Sequence, residues 1–165
     1  MNLTQTEQSR ELQKKLEAFV SERVEPFERE MQKRIERGAD RWQVPDGMAE
    51  LKQAARDQGL WNLFLPDEEL GAGLSTLEYA PLAEVMGRSL IAPEVFNCNA
   101  PDTGNMEVLY HYGSGAQKDE WLEPLLAGKI RSAFCMTEPD VASSDATNME
   151  ATAIVEGDQV VLDGC

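Results

Sequence analysis

The chain has 165 residues, a mass of 18.4 kDa and 42% hydrophobic residues, which fits about one domain able to bury roughly 70% of its unfolded surface. Lys plus Arg is 15 and Asp plus Glu is 30, giving a net charge of −15 and a pI near 4.4. That balance excludes a nucleic-acid backbone or an anionic membrane as the main partner, because both need a basic face. No apolar run approaches the ~20 residues of a membrane span, and Glu7, Glu11 and Glu17 are unlike a signal or transit peptide.

The first two-thirds read as helix. Thr4 and Glu7 have capping-box spacing. Leu12, Leu16, Phe19 (or Val20), Val24, Phe27, Met31 and Ile35 then recur at helical spacing. Pro26 interrupts this stripe, so a kink or break is expected, with Pro26 opening a second segment and Gly38 ending it. Pro45 and Asp46 suit the start of the next helix, whose inner face is Met48, Leu51, Ala54 and Ala55 and whose end is Gly59. Leu60, Trp61, Phe64 and Leu65 form an apolar patch ahead of the turn-rich PDEELGAGLS. Ser75 and Glu78 form a second capping box, opening a helix that carries Leu77, Pro81, Leu82, Val85 and Met86. Segment 91–105 reads as loop or broken helix, and residues 106–112 and 115–126 as two short helices separated by Gly113.

The character changes near Gly128. SAFCMT (132–137) has the composition of a buried strand, and EPDVASSDATN is a polar loop. MEATAIVEGDQVVLDG reads as a hairpin, with strands near 149–155 and 159–163 and a turn at Gly157-Asp158. The expected fold class is α+β: an N-terminal all-helical domain over 1–128, then the truncated start of a β domain over 129–165. One strand and a hairpin make too small a sheet to stand alone. The chain is therefore expected to be the front of a longer protein; the alternative is a small α+β domain whose sheet packs on its own helices.

Cys98, Cys135 and Cys165 are odd in number and far apart, with no CxxC. They fit neither a disulfide framework nor a zinc site, and they suit a reducing compartment such as the cytoplasm. His111 is the only histidine, which excludes a His-rich metal centre, and no nucleophile elbow accompanies it. Near a helix C-terminus it would serve the dipole. There is no GxGxxG and no P-loop.

A helical front, an apolar strand ending in Met136-Thr137-Glu138-Pro139 and a Ser-Ser-Asp loop together resemble the acyl-CoA dehydrogenases. The family signature runs small residue, aliphatic, Thr or Ser, Glu, usually Pro, two residues, Gly, Ser, Asp. Here it stands as Cys135-Met136-Thr137-Glu138-Pro139-Asp140-Val141-Ala142-Ser143-Ser144-Asp145. Upstream, Tyr112-Gly113-Ser114, Gln117, Lys118, Trp121, Leu122, Pro124-Leu125-Leu126 and Gly128 resemble the family's YGS…QK…WLxPLLxG segment. The loop before Asp145 is one residue longer than the common pattern, and Ser143 stands where Gly is usual. With FNCNAPDTGNMEVL (96–109), this is similar to the branch sometimes fused to a kinase-like phosphotransferase domain.

The resemblance implies an FAD site. The backbone N–H groups of Met136 and Thr137 would meet the pyrimidine edge of the isoalloxazine, the Thr137 hydroxyl would face N5, and Phe134 would contact the ring. Ser143 or Ser144 would bind the pyrophosphate. Donors at the pyrimidine edge stabilise the charge of reduced flavin, and hydroxyl and backbone donors bind pyrophosphate without lysine. Glu138 reads as structural rather than catalytic, and Asp145 as a local cap. The family's acyl cavity is lined by the region of 96–105, so Asn97, Asn99 and Thr103 are the expected substrate contacts. Their polarity suits an acyl group carrying an oxygen function; the alternative is that they cap helix ends.

The implied reaction is α,β-dehydrogenation of an acyl-CoA thioester. A glutamate removes the α-proton, the β-hydride goes to flavin N5, and electrons pass to electron-transfer flavoprotein. In the family that glutamate belongs to the C-terminal helical domain or a helix near it. No catalytic residue and no metal ligand is therefore assigned here, and the chain alone is expected to be inactive. A homo-oligomer, dimer or tetramer, is also implied. The alternatives are an acyl-CoA oxidase or flavin monooxygenase of the same fold, or a non-enzymatic acidic helical module docking through the Leu60–Leu65 patch.

Overall fold

A computed structural model describes residues 4–142 and 145–164. The chain divides into two compact units, Met1–Ser132 and Ala133–Cys165.

The first unit is helical. α1 (Glu7–Phe19) continues through a π turn (Val20–Val24) into α2 (Glu25–Glu36). Its N-cap is Thr6, not Thr4: the Thr6 hydroxyl accepts from the Ser9 N–H at 3.3 Å. Pro26 does not break the helix. It sits in the first turn of α2, just after a π turn in which the Glu25 N–H bonds to the Val20 carbonyl five residues back. The register slips where proline cannot donate. At the far end the Gly38 N–H bonds to Ile35 O and the Ala39 N–H to Arg34 O, the double closure of a glycine C-terminus, with Gly38 at φ +95°.

α3 (Met48–Asp57) starts after Gly47 rather than Asp46 and closes in the same way at Gly59. α4 (Thr76–Met86) has the reciprocal Ser75/Glu78 capping box. The Thr6 hydroxyl also donates to Glu78 Oε1 at 2.7 Å, so the caps of α1 and α4 are tied together. α5 (Ala92–Val95) follows. α6 (Asp102–Tyr112) begins ahead of the expected 106, and α7 (Gly115–Gln117), a π turn (Lys118–Leu122) and α8 (Glu123–Leu126) complete the unit. No helix among the described residues is long and apolar enough to cross a membrane.

The core explains these elements. Leu16, Val24, Leu60, Leu63, Leu65, Leu82, Val95 and Phe96 are fully buried, and Phe19 meets Phe96 edge to face at 5.5 Å. The Leu60–Leu65 stretch is thus core rather than a docking patch. Leu60, Leu63 and Leu65 are at 0% exposure and Phe64 at 8%, so of the expected docking patch only Trp61 stays half-exposed.

The second unit is a hairpin, β1 (Thr152–Glu156) and β2 (Gln159–Asp163), antiparallel with Glu156 opposite Gln159 and Thr152 opposite Asp163. Gly157 takes φ +67° in the two-residue turn. Ile154 and Val161 share one face, and Val155, Val160 and Leu162 the other, and all five are exposed. Residues 132–137 are not a buried strand. They pair with no ladder among the described residues, and Phe134 is 67% exposed. Their composition signals a preference for burial, but a strand exists only beside a lateral partner.

Candidate functional site

The segment Phe134–Glu138 carries most of the expected cofactor contacts. Phe134, Met136 and Thr137 are exposed. The N–H groups of Met136 and Thr137 make no hydrogen bond among the described residues. Glu138 differs: it is the one half-buried residue between Ala133 and Asp140. Its Oε2 accepts from the Glu150 N–H and its Oε1 from the Ala151 N–H, both at 2.8 Å. Asp145 caps the turn Ala146–Asn148, accepting from the Thr147 N–H at 3.0 Å and the Thr147 hydroxyl at 2.6 Å. Those bonds, the hydroxyl's first, hold its carboxyl below the usual range. Ser143 and Ser144 lie outside the described residues.

This donor set fits an isoalloxazine ring. Two successive open N–H groups suit the acceptors of its pyrimidine edge, and an exposed aromatic side chain two residues before Met136 suits its face.

In the helical unit, the chain is pinned just before this segment. Asp102 at the start of α6 is 1% exposed. Its carboxylate accepts from the Ser132 N–H (2.7 Å), the Ser132 hydroxyl (2.6 Å) and Arg131 Nε (2.7 Å). Arg131 Nη1 reaches Glu94 Oε2 at 2.7 Å, and Lys52 bonds to the other Glu94 oxygen. Asn105 Nδ2 donates to Ser132 Oγ at 2.8 Å. Burial pushes the Asp102 carboxyl up, but the bonds from Ser132 and Arg131 outweigh it and leave the group below its ordinary value.

The three expected acyl contacts separate. Asn97, at φ +53° and 6% exposed, spends its amide in the interior: Nδ2 donates to Asn62 Oδ1 at 2.7 Å and to Leu125 O at 3.1 Å. Asn62 (φ +54°) in turn donates to Leu126 O at 3.1 Å. Trp61 Nε1 reaches the same carbonyl, and Arg56, stacked 3.8 Å over Trp61, reaches Ala127 O, each at 2.7 Å. Together these four side chains satisfy the open carbonyls at the end of α8. Gly128 completes the closure at φ +63°, where a Cβ would stand 2.9 Å from the Trp61 ring. The geometry gives the Asn97 amide a structural role. Asn99 and Thr103 stay together through the Thr103 N–H and the Asn99 carbonyl at 3.1 Å. Asn99 Oδ1 is buried with no hydrogen-bond partner among the described residues, an acceptor left open.

Sequence reasoning passed over the Asn62–Asn97 pair. Its only local signal is that Asn tolerates the left-handed conformation better than most residues. It also missed the partners of Asp102, which lie 29 and 30 positions downstream. The Cys98 thiol is pushed up to about 11 by burial, so it stays neutral and is no nucleophile.

Residues 6–129 match the family model described as "Acyl-CoA dehydrogenase, N-terminal domain". The chain is 52% identical over 160 residues to "Acyl-CoA dehydrogenase family member 10" of Mus musculus, covering 94% of this chain and 15% of that protein. It is 50% identical over 163 residues to "Acyl-CoA dehydrogenase family member 11" of Gallus gallus, covering 97% and 21%. Among solved structures it resembles "Structure of a putative acyl-CoA dehydrogenase from Mycobacterium abscessus", with a TM-score of 0.94 and 59% identity, over 98% of this chain and 42% of that one. The chain thus spans about a fifth or less of the length of these curated relatives.

Proposed function

The chain belongs to the acyl-CoA dehydrogenase family, and we propose that it forms the helical front and part of the flavin edge of an FAD-dependent acyl-CoA dehydrogenase. The observation that carries this reading is the exposed segment Phe134–Thr137, with its two open N–H donors.

When bound, FAD supplies the hydride acceptor for α,β-dehydrogenation of an acyl-CoA thioester. Met136 and Thr137 donate their N–H groups to the pyrimidine edge and favour the charged, reduced ring. The Thr137 hydroxyl would serve the N5 side, Phe134 would cover part of the ring, and Ser143 or Ser144 would donate to the pyrophosphate. Asn99 and Thr103 contact the acyl chain. The open Asn99 Oδ1 is an acceptor suited to a hydroxyl on that chain. The base that removes the α-proton is not among these residues, so this chain alone binds FAD weakly and performs no dehydrogenation. Electron-transfer flavoprotein as acceptor, a homo-oligomeric assembly and a cytoplasmic location complete the proposal.

The test is anaerobic mixing of the complete flavoprotein with acyl-CoA thioesters. Bleaching of the oxidised flavin band, reversed by electron-transfer flavoprotein and only slowly by dioxygen, is the expected result. Rapid reoxidation by dioxygen would instead indicate an oxidase or monooxygenase of the same fold, and no bleaching with any thioester would contradict the proposal. Alanine at Asn99 or Thr103 should shift acyl preference more than stability; a loss of stability alone would remove them from the acyl site.

A further inference from the structure

We infer that Glu138 is a positioning residue for the flavin edge: by clamping the N–H groups of Glu150 and Ala151 it fixes the backbone of Met136 and Thr137. The inference rests on the flavin reading given above and goes beyond it, since Glu138 touches no expected ligand atom. From Ala133 to Asp140 every other residue is exposed, and among the described residues the stretch belongs to no ladder. Nothing in its backbone pairing holds 136–137 still. The Glu138 carboxylate supplies that hold. Two charge-assisted bonds of 2.8 Å run to successive N–H groups immediately before β1, and β1 is itself fixed by its register with β2. Just ahead of the clamped N–H groups, Asp145 caps the turn Ala146–Asn148. Donors aimed at a developing charge lose much of their effect when displaced by about 1 Å. A residue one position from Thr137 that is locked to the hairpin therefore governs how well those donors meet the ring.

Glu138→Gln keeps the size but presents an amide N–H₂ to one of the two N–H donors, and so opens the clamp. In the complete flavoprotein two quantities separate positioning from bulk stability: the dissociation constant of FAD from reconstituted apoprotein, and the midpoint potential of the bound flavin. The expected result is an affinity weakened about tenfold or more, the scale of a lost hydrogen bond to a charged group, with a potential moved to more negative values because the reduced ring loses well-aimed donors. Simple loss of a nearby negative charge would move the potential the other way, so a positive shift overturns the inference. An unchanged potential overturns it too, whatever happens to affinity or unfolding. Should Glu138→Gln retain no flavin, Glu138→Asp, which keeps the carboxylate one methylene shorter, is measured against the same criteria. If Glu138→Gln matches a flavin-loaded wild type, only this inference fails. If the wild type takes up no FAD, the function proposed above fails and this inference with it.

Discussion

The two units of the chain handle their apolar residues in opposite ways. In the helical unit Leu16, Val24, Leu63, Leu82 and Phe96 are sealed at 0% exposure, and the helix ends are closed by residues of the same unit: Thr6, Ser75, Gly38, Gly59 and the Asn62–Asn97 pair. In the hairpin unit Val155 and Leu162 stand 72% and 77% exposed, and Phe134 67%. A helix satisfies its backbone internally and needs neighbours only for one face. A strand needs them on both edges and on its faces. The same apolar composition therefore builds a closed core in one unit and an open surface in the other, and the open surface is where a ligand's own donors, acceptors and faces can be used.

Substitutions can break this contrast, starting with the largest expected effect. Phe96→Ala, at the centre of the helical core, should cost about 3–5 kcal/mol in urea unfolding. Asn97→Ala should cost about 1–3 kcal/mol, because it leaves Asn62 Oδ1 buried without its donor and removes one of the two bonds to the Leu125 carbonyl. It should leave acyl preference unchanged in the complete flavoprotein; a changed preference with unchanged stability would return Asn97 to the acyl site.

The Asp102 cluster gives a pH test. Its folded value is depressed, so its contribution is whole above the unfolded value of about 3.9 and fades as pH falls through the folded one. Asp102→Asn should flatten the acid limb of the unfolding profile, and a limb of unchanged slope would show that the carboxylate is not held as described. Ser75→Ala should cost about 1 kcal/mol through the lost cap. Leu162→Ala, on the open hairpin face, should fall within about 0.5 kcal/mol; a large loss there would mean that the face is covered.

The sequence was most legible where the rule is local. The Ser75–Glu78 box, the glycine stops at Gly38 and Gly59 and the Gly157 turn all follow from spacing and backbone preference, and the structure has each of them. It was least legible where a partner is distant. Thr4 and Thr6 are equally good caps in isolation; the tie from Thr6 to Glu78, 72 positions away, accompanies the choice of Thr6. α6 begins at Asp102 rather than 106, with Asp102 occupied by Arg131 and Ser132. Asn97 was expected at the acyl chain because the family's cavity is lined by its region, while the carbonyls its amide reaches, at Leu125 and Leu126, are invisible to local pattern. In the motif, Met136 and Thr137 were legible as residues but not as an exposed, unpaired segment, because composition cannot say whether a lateral partner is present.

The most direct test of the flavin edge is amide hydrogen exchange at Met136 and Thr137 in the complete protein, with and without FAD. The account predicts fast exchange at both amides in the apoprotein and marked protection once FAD is bound, against a helical core whose Leu16 and Val85 amides stay protected in both states. Saturating FAD that leaves Met136 and Thr137 exchanging as before would contradict it.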